Sequence, residues 1–384
     1  MPSLFIGAAR PAPARPPGRD CASEYSVQVL RGARAIEGIG PEVEQLRQYT
    51  GQSDNPLLCL DFFLGRVRLF PHNQPVLLLA RSKERLEGVV YFMEKTVCGI
   101  PIGYLRGFDH LTGESSVIAR EQVRASLLQI AIQQLFVQTR VRVAWATVCQ
   151  GAEKSFTALQ QVRPFLRVET SSVSREHRLK LAETFDATLS HFGTHTRRNL
   201  RYYRRRAEKD LNASFHAGLG REESQEAFEQ LNKVCFEPFA DCVAHWWKMD
   251  GLVCTRPGYF AMGLRANGRW ISYLTGIRSG KLTYVLVQIN HNGFSRYSLS
   301  TVMRSYFFEH EILRRQSEIK FVNGTNALFQ RCCELDTCVT VSARRGLTAL
   351  VIFNWIAPWY FAPDHALNMR RWPTRPPNLI EPEA

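Results

Sequence analysis

The stretch Thr194–Leu211, THTRRNLRYYRRRAEKDL, decides how the rest of the chain is read. Leu200, Tyr203, Ala207 and Leu211 recur at offsets of three and four, which predicts a helix with one apolar face. Arg197, Arg201, Arg204 and Arg205 fall along a neighbouring face with Arg198 and Arg206 beside them, six arginines in ten residues. Thr194 or Thr196 is the expected cap, so Arg197 and Arg198 sit in the first turn, where the helix dipole is already positive. That conflict is tolerable if an anion or a set of carboxylates lies against it. A solvated charged face accounts for the same pattern.

Outward from this helix, composition bounds the answer. A chain of 384 residues with 45% hydrophobic and 22% charged residues is an ordinary soluble globular protein, long enough for two domains. Its net charge of +14 favours an acidic partner: a phosphorylated cofactor, nucleic acid, an anionic polymer or a membrane surface. The ten cysteines form no C-x-x-C pair and no regular framework, which points to a reducing, cytoplasmic setting with thiols as small core residues. Cys235, Cys242, His245 and Cys254 fit no usual zinc spacing, so no metal is expected. Residues 1–23, rich in Pro, Ala and Arg, are expected to be a disordered tail. Leu347–Ala362 is the most apolar run, yet it carries Asn354 and Pro358 and is short for a membrane span. A core segment or dimer contact within a C-terminal 346–384 piece is the expectation, with no transmembrane segment.

Two series of elements follow one another. In the first, Tyr25–Leu30 reads as a strand, Pro41–Tyr49 as a helix, and Pro75–Arg81 and Arg85–Val97 as strands joined through Ser82-Lys83-Glu84. Ile118–Thr139 reads as a helix, Val141–Val148 as a strand and Glu153–Gln161 as a helix. The second series has Ala182–Phe192 leading into the arginine helix, then strand Ala213–Ala217 and helix Glu222–Val234. Strands Tyr259–Leu264, Trp270–Ile277 and Leu282–Asn290 follow, with Asn267-Gly268 and Ser279-Gly280 as turns. Helix Leu299–Arg315, strand Glu318–Val322, helix Thr325–Glu334 and strand Cys338–Ser342 complete it. The repeated order predicts two α/β domains of one type, 24–173 and 174–345.

In the second series the residues resemble a family. The arginine helix, strands ending in Tyr284–Asn290, a polar loop, and Ser298-Leu299-Ser300-Thr301 opening a helix look like the GNAT superfamily. More narrowly they resemble tandem-GNAT acetyltransferases of the CelD type, tied to cellulose and exopolysaccharide biosynthesis and related to the Fem aminoacyltransferases. In those, a helix reading roughly R-R-N-L-R-R precedes the second GNAT fold, matched here by Arg197-Arg198-Asn199-Leu200-Arg201. The match covers about residues 175 to 345; the first half agrees in layout only. The resemblance implies an α/β (α+β) fold class: two GNAT-like domains in tandem, each a mixed, mostly antiparallel sheet flanked by helices. It implies acetyl-CoA or another acyl-CoA as co-substrate and a small-molecule or saccharide amine or hydroxyl as acceptor.

In such a site, backbone N–H groups of a splayed strand face the thioester carbonyl, and the next loop and helix start cradle pyrophosphate. On this sequence those roles fall to Val287, Gln288 and Ile289 on the strand, then Gly293, Arg296, Ser298, Ser300 and Thr301. Gly293 permits close approach, Arg296 supplies a cation, and the serines supply hydroxyls and a cap. Tyr297 is the candidate acid on the leaving thiol. His245, Asp241, Glu309 and His310 are candidate bases by type, with His310 on a packed helical stripe. Arg197, Arg198, Arg201 and Asn323 are the candidates for gripping an anionic group or acceptor.

The chain departs from the family in three places. The [QR]-x-x-G-x-[GA] loop is absent, Ser-Pro-Gly reads Ser298-Leu299-Ser300, and the later Asp and G-x-x-x-x-Lys region reads Asn323-Gly324 followed by Phe329-Gln330-Arg331. Two alternatives therefore stand beside the acyl-CoA reading. One is a Fem-like transferase that takes an aminoacyl group from charged tRNA, which the net charge and Tyr202-Tyr203 between arginines would suit. The other is a non-catalytic polyanion-binding relative.

Overall fold

Two three-stranded meanders, each followed by a helix and a parallel strand, dominate the computed structural model. It describes residues 25–70, 72–108, 115–138, 140–150, 152–154, 156, 166–235, 251–322, 325 and 327–345. The first unit opens with β1 (Ser26–Arg31) and helices α1 (Ala33–Glu37), α2 (Gly40–Tyr49) and α3 (Leu60–Arg68). Its meander is β2 (Asn73–Ser82), β3 (Arg85–Val97) and β4 (Ile100–Gly107). Lys83 and Glu84 both take positive φ, 46° and 68°, the hand that lets a two-residue turn follow the twist of its strands. A short β5 (Val117–Ile118) precedes α4 (Arg124–Gln138), and β6 (Val143–Cys149) returns parallel to β4.

After β7 (Leu166–Lys180) come α5 (Phe185–Ser190), α6 (Thr194–Leu211), β8 (Ser214–Ala217) and α7 (Arg221–Asn232). The second meander is β9 (Tyr259–Ala266), β10 (Arg269–Ser279) and β11 (Leu282–Asn290). Then α8 (Leu299–Leu313) leads to β12 (Glu318–Phe321), parallel to β11, and the chain continues through α9 (Ala327–Gln330) to β13 (Glu334–Arg345). All strands join one sheet in the order β1-β2-β3-β4-β6-β13-β7-β12-β11-β10-β9-β8, with β5 on β3. The late strand β13 lies between β6 and β7 and pairs with both, so the two meanders share one sheet. Position 173, the expected domain boundary, falls inside β7.

The cores explain why the helices lie where they do. Leu127, Leu128, Ala131, Ile132, Leu135 and Phe136 of α4 pack on the first meander. Leu200, Ala207 and Leu211 of α6 pack with Val302, Met303, Phe307 and Phe308 of α8 on the second. A third cluster joins the two halves: Phe62, Phe63 and Leu64 of α3 meet Ile277, Tyr284 and Leu286. At about 25 cal/mol per Å² of apolar surface, contacts of this extent hold elements together far more strongly than helix propensity does.

Several expectations are corrected. The helix expected from Ile118 starts at Arg124, because Val117 and Ile118 pair with Val90 and Val89 of β3. The helix expected over Thr325–Glu334 shrinks to α9, since Glu334 already begins β13. Helix α6 runs over the expected residues, but Gly193 is its N-cap and neither threonine caps it. Strand β4 and helix α3 were not anticipated: Gly103 interrupts the apolar pattern of one and Gly65 that of the other. Most of the helix expected at Glu153–Gln161, the proposed tails, and the Leu347–Ala362 run lie outside the described residues. Among the described residues no helix is long and apolar enough to cross a membrane, and no three metal-ligand side chains cluster.

Candidate active site

The parallel pairing of β11 and β12 lasts only from Leu282↔Glu318 to Val285↔Phe321. On the other side of β11 the register slips at the same point: Gly276 faces Val285 and Thr275 faces Val287, so Leu286 is an extra, bulged residue. Beyond it β11 continues along β10 but, among the described residues, no longer along β12, and a gap opens between them there. His291 N–H donates to Ile271 O at 2.9 Å. Alternation from that pair turns the backbone groups of Gln288 and Asn290 to the open side. Gly276 makes the bulge tolerable, because a Cβ there would lie 2.2 Å from Tyr284 O and 2.4 Å from the Phe260 ring.

The corresponding gap in the first half is closed by the chain itself. Pairing of β4 with β6 ends at Arg106↔Trp145. Ser115 N–H then donates to Thr147 O at 2.9 Å while Ser115 Oγ accepts from Thr147 N–H, also at 2.9 Å. Ser116 N–H donates to Phe108 O, and Tyr91 N–H donates to Ser116 O. Only the second gap is free of such a strand among the described residues.

Past the gap, a 3₁₀ turn over Asn292–Tyr297 leads to Ser298, whose φ of 49° and ψ of 52° break the path before α8. Gly293 N–H is used internally, donating to His291 Nδ1 at 3.0 Å. Burial, and then the nearby Arg269 charge, hold the His291 pKa below its ordinary value, which keeps that acceptor neutral. Ser298 Oγ and Thr301 Oγ1 share a hydrogen bond at 2.9 Å, so neither hydroxyl caps the helix. The N–H groups of Leu299 and Ser300 have no acceptor among the described residues. An uncapped start of a 15-residue helix is suited to an anion.

One side chain that the sequence reading passed over spans the gap. Arg304 of α8 is 7% exposed; its Nε donates to Gln288 Oε1 at 3.1 Å and its Nη1 to Thr325 Oγ1 at 2.5 Å. Its guanidinium carbon lies 4.9 Å from the centroids of both Phe321 and Phe329. Burial brings its pKa down to about 10. Gln288 completes the link by donating to Ser300 O at 3.4 Å. Periodicity marks Arg304 only as a polar residue in an apolar helix; its partners come from β11, β12 and the segment after β12, which no local pattern reveals.

Of the expected site residues, Gln288 and Ser300 border the gap, whereas Val287 and Ile289 pack on the opposite face of β11 with Tyr273 and α7. Tyr297 is buried in the α6–α8 core; its hydroxyl accepts from Arg296 Nη2 at 3.0 Å, and Arg206 stacks over its ring at 5.1 Å. Arg206 is thus the arginine of α6 that meets the loop. Arg197 donates to Thr194 Oγ1, Arg201 pairs with Asp186 at 2.7 Å, and Arg198 is exposed. These three lie one to three turns towards the start of α6, with Arg198 about 12 Å along the axis from Arg206. Glu309 is taken by Arg204 at 2.7 Å, and His310 packs edge-on to Phe215, on the side of α8 away from Arg304. His245, Asp241 and Asn323 lie outside the described residues.

The phosphate-bearing part of an acyl-CoA fits these residues: a helix start with unused N–H groups, an open strand edge and a buried cation. No known protein family and no curated protein matches the sequence. Solved structures do. The chain is similar to the crystal structure of FemX, at 9% identity and a TM-score of 0.55, over 81% of this chain and 96% of that one. It is also similar to the C-terminal domain (DUF2156) of a putative lysylphosphatidylglycerol synthetase from Agrobacterium fabrum. That match has 10% identity and a TM-score of 0.50, over 84% of this chain and 97% of that one. A tandem GNAT protein from the clavulanic acid biosynthesis pathway is a further match, at 10% identity and a TM-score of 0.47, over 83% and 98% of the two chains. Similarity at these identities carries fold alone, and the fold is a mixed α/β arrangement of helices on one large, mostly antiparallel sheet.

Proposed function

We propose that the chain is an acyltransferase whose working site is the gap between β11 and β12, with acyl-CoA as donor. The observation that carries this reading is the bulge at Leu286 beside the open edge of β11 and the uncapped start of α8, set against a first-half gap that Ser115–Ile118 fills. In this reading residues 24–173 are a supporting domain and residues 174–345 the catalytic one. Helix α3 shares one buried cluster with Leu286, which ties the first unit to the bulge.

A bound acyl-CoA supplies an activated thioester carbonyl. The N–H groups along the open edge at Gln288 and Asn290 would hold the carbonyl oxygen and stabilise its developing charge. Tyr297 accepts a hydrogen bond from Arg296, which leaves its own proton free to give, and is the proposed proton donor to the departing sulfur. Its buried ring requires the Asn292–Tyr297 turn to shift for that role. The acceptor is a small amine or hydroxyl, of the amino-sugar or saccharide kind implied by the CelD resemblance. The test is calorimetry of acetyl-CoA and CoA with wild type and Arg296→Ala. Saturable binding weakened in the variant supports the reading, and absence of binding to both ligands by wild type refutes it.

A second reading has its own observation. Arg198, Arg205 and Lys209 line the outer face of α6 around Tyr202, which is 50% exposed. That stripe suits a polyanion, such as the RNA of a charged-tRNA donor, and predicts binding that weakens steeply with salt.

A further inference from the structure

Among the described residues two arginines are buried, Arg47 and Arg304, and a third, Arg278, is nearly so. Arg47 pairs with Glu44, and Arg278 with the fully buried Glu311 through Nη2 at 2.6 Å. Arg304 has no carboxylate partner among the described residues; its partners are an amide oxygen, a hydroxyl and two phenyl rings. The segment after β12 offers none either, since residues 322–333 (VNGTNALFQRCC) contain no acid. Cys333 does not serve as counter-ion, because burial pushes its thiol up to about 12 and leaves it neutral.

An uncompensated cation in such surroundings weakens the fold. Nη2 and the second hydrogen on Nη1 have no acceptor among the described residues. Helical side chains point back towards the helix start, so the guanidinium lies over the first turn of α8. There the Leu299 and Ser300 N–H groups are also without acceptors among the described residues. Gln288 ties these features together, accepting from Arg304 and donating to Ser300 O. Every unused polar hydrogen in this cluster is a donor. A tetrahedral anion with several oxygens matches donors that arrive from different directions, and charge-assisted bonds to it are the strong kind.

We propose that Arg304 is a phosphate-binding residue, and that a phosphate group of the ligand entering the β11–β12 gap is its missing counter-ion. The inference rests on reading that gap as the ligand site. It gives this chain a substitute for the absent glycine-containing loop, because Gly293 spends its N–H on His291. The phosphate has two candidate sources, the pyrophosphate of CoA and the sugar–phosphate end of a tRNA.

The test compares wild type with Arg304→Met, which keeps the stem and its packing between the two phenylalanines. Without ligand, Arg304→Met melts at the wild-type temperature or higher, because a buried unpaired charge has been removed. Inorganic pyrophosphate raises the melting temperature of wild type but not of the variant. In calorimetry the variant loses at least tenfold in affinity for CoA if CoA is the source, or for uncharged tRNA if tRNA is. Pantetheine, which lacks phosphates, binds both proteins alike. Equal pyrophosphate response and equal CoA and tRNA affinity in the two proteins overturn the proposal, and so does a wild type that responds to none of the three. CoA binding that survives in the variant refutes Arg304 while leaving the acyl-CoA reading intact. A pyrophosphate response that depends on Arg304, in a protein that ignores CoA, does the reverse. Should Arg304→Met fail to fold, Arg304→Lys carries the same comparison, keeping the charge but losing the forked donors.

Discussion

Replacing Glu311 with alanine removes the carboxylate that Arg278 was buried to meet. Glu311 is 0% exposed and accepts from Arg278 Nη2 at 2.6 Å, Arg278 Nε at 3.0 Å and Thr283 Oγ1 at 2.7 Å. The Arg278 side chain is 13% exposed and lies 4.2 Å over the Phe260 ring. Glu311→Ala leaves that charge enclosed with only the ring to stabilise it, and leaves the Thr283 hydroxyl without its acceptor. Breaking a buried pair on one side costs about 3–5 kcal/mol, and the stranded hydroxyl accounts for about 1 kcal/mol of it. Removing both charges is different: Arg278→Met with Glu311→Leu replaces the pair by apolar volume and should come within about 1–2 kcal/mol of wild type. Urea unfolding followed by far-ultraviolet circular dichroism, at one protein concentration, measures all three and gives the coupling energy directly. A loss below 1 kcal/mol for Glu311→Ala, or a double variant no better than the single, would refute the argument. Arg278 would then be reaching water through its small exposed fraction.

Gly276→Ala places a methyl group 2.2 Å from Tyr284 O, so the β10–β11 pair must separate at the bulge; we expect a loss of more than about 2 kcal/mol in urea unfolding and faster amide exchange at Val285 to Val287. Ser115→Ala removes the acceptor for Thr147 N–H in the first-half gap and should cost about 1–2 kcal/mol by the same assay, whereas an unchanged midpoint would mean that this gap is not closed by that bond. Burial, then Arg269, depress the His291 pKa in the fold, so the unfolded chain binds this proton more readily; the stabilisation is complete above the unfolded value near pH 6.5 and is lost as pH falls through it towards the folded value. Nuclear magnetic resonance titration of the imidazole should give a midpoint below 6.5, with the Gly293 amide resonance moving at the same pH.

Periodicity and turn chemistry made much of the fold readable. Helix α6 and strands β3 and β11 lie where alternation and apolar spacing place them, because each shows one clean face to a core. The repeated order of meander, helix and parallel strand was equally plain, and with it the mixed α/β architecture. Glycine hid the rest: Gly103 and Gly65 break the patterns of β4 and α3 without breaking the elements.

For the site, the sequence determined the strand, the turn and the helix start, since these are consecutive along the chain. It also determined the excess of arginines on α6, without the means to separate them. Tertiary structure made that separation. It bound Arg204 to Glu309, Arg201 to Asp186 and Arg206 to the ring of Tyr297, and left Arg198 in solvent. It likewise distinguished Arg278 from Arg304, two arginines alike in the sequence, of which one meets a buried acid and the other meets none among the described residues. Helix periodicity records which face of a segment is apolar. Whether a charge finds its counter-charge depends on residues that lie far away in sequence and are brought together only when the chain packs.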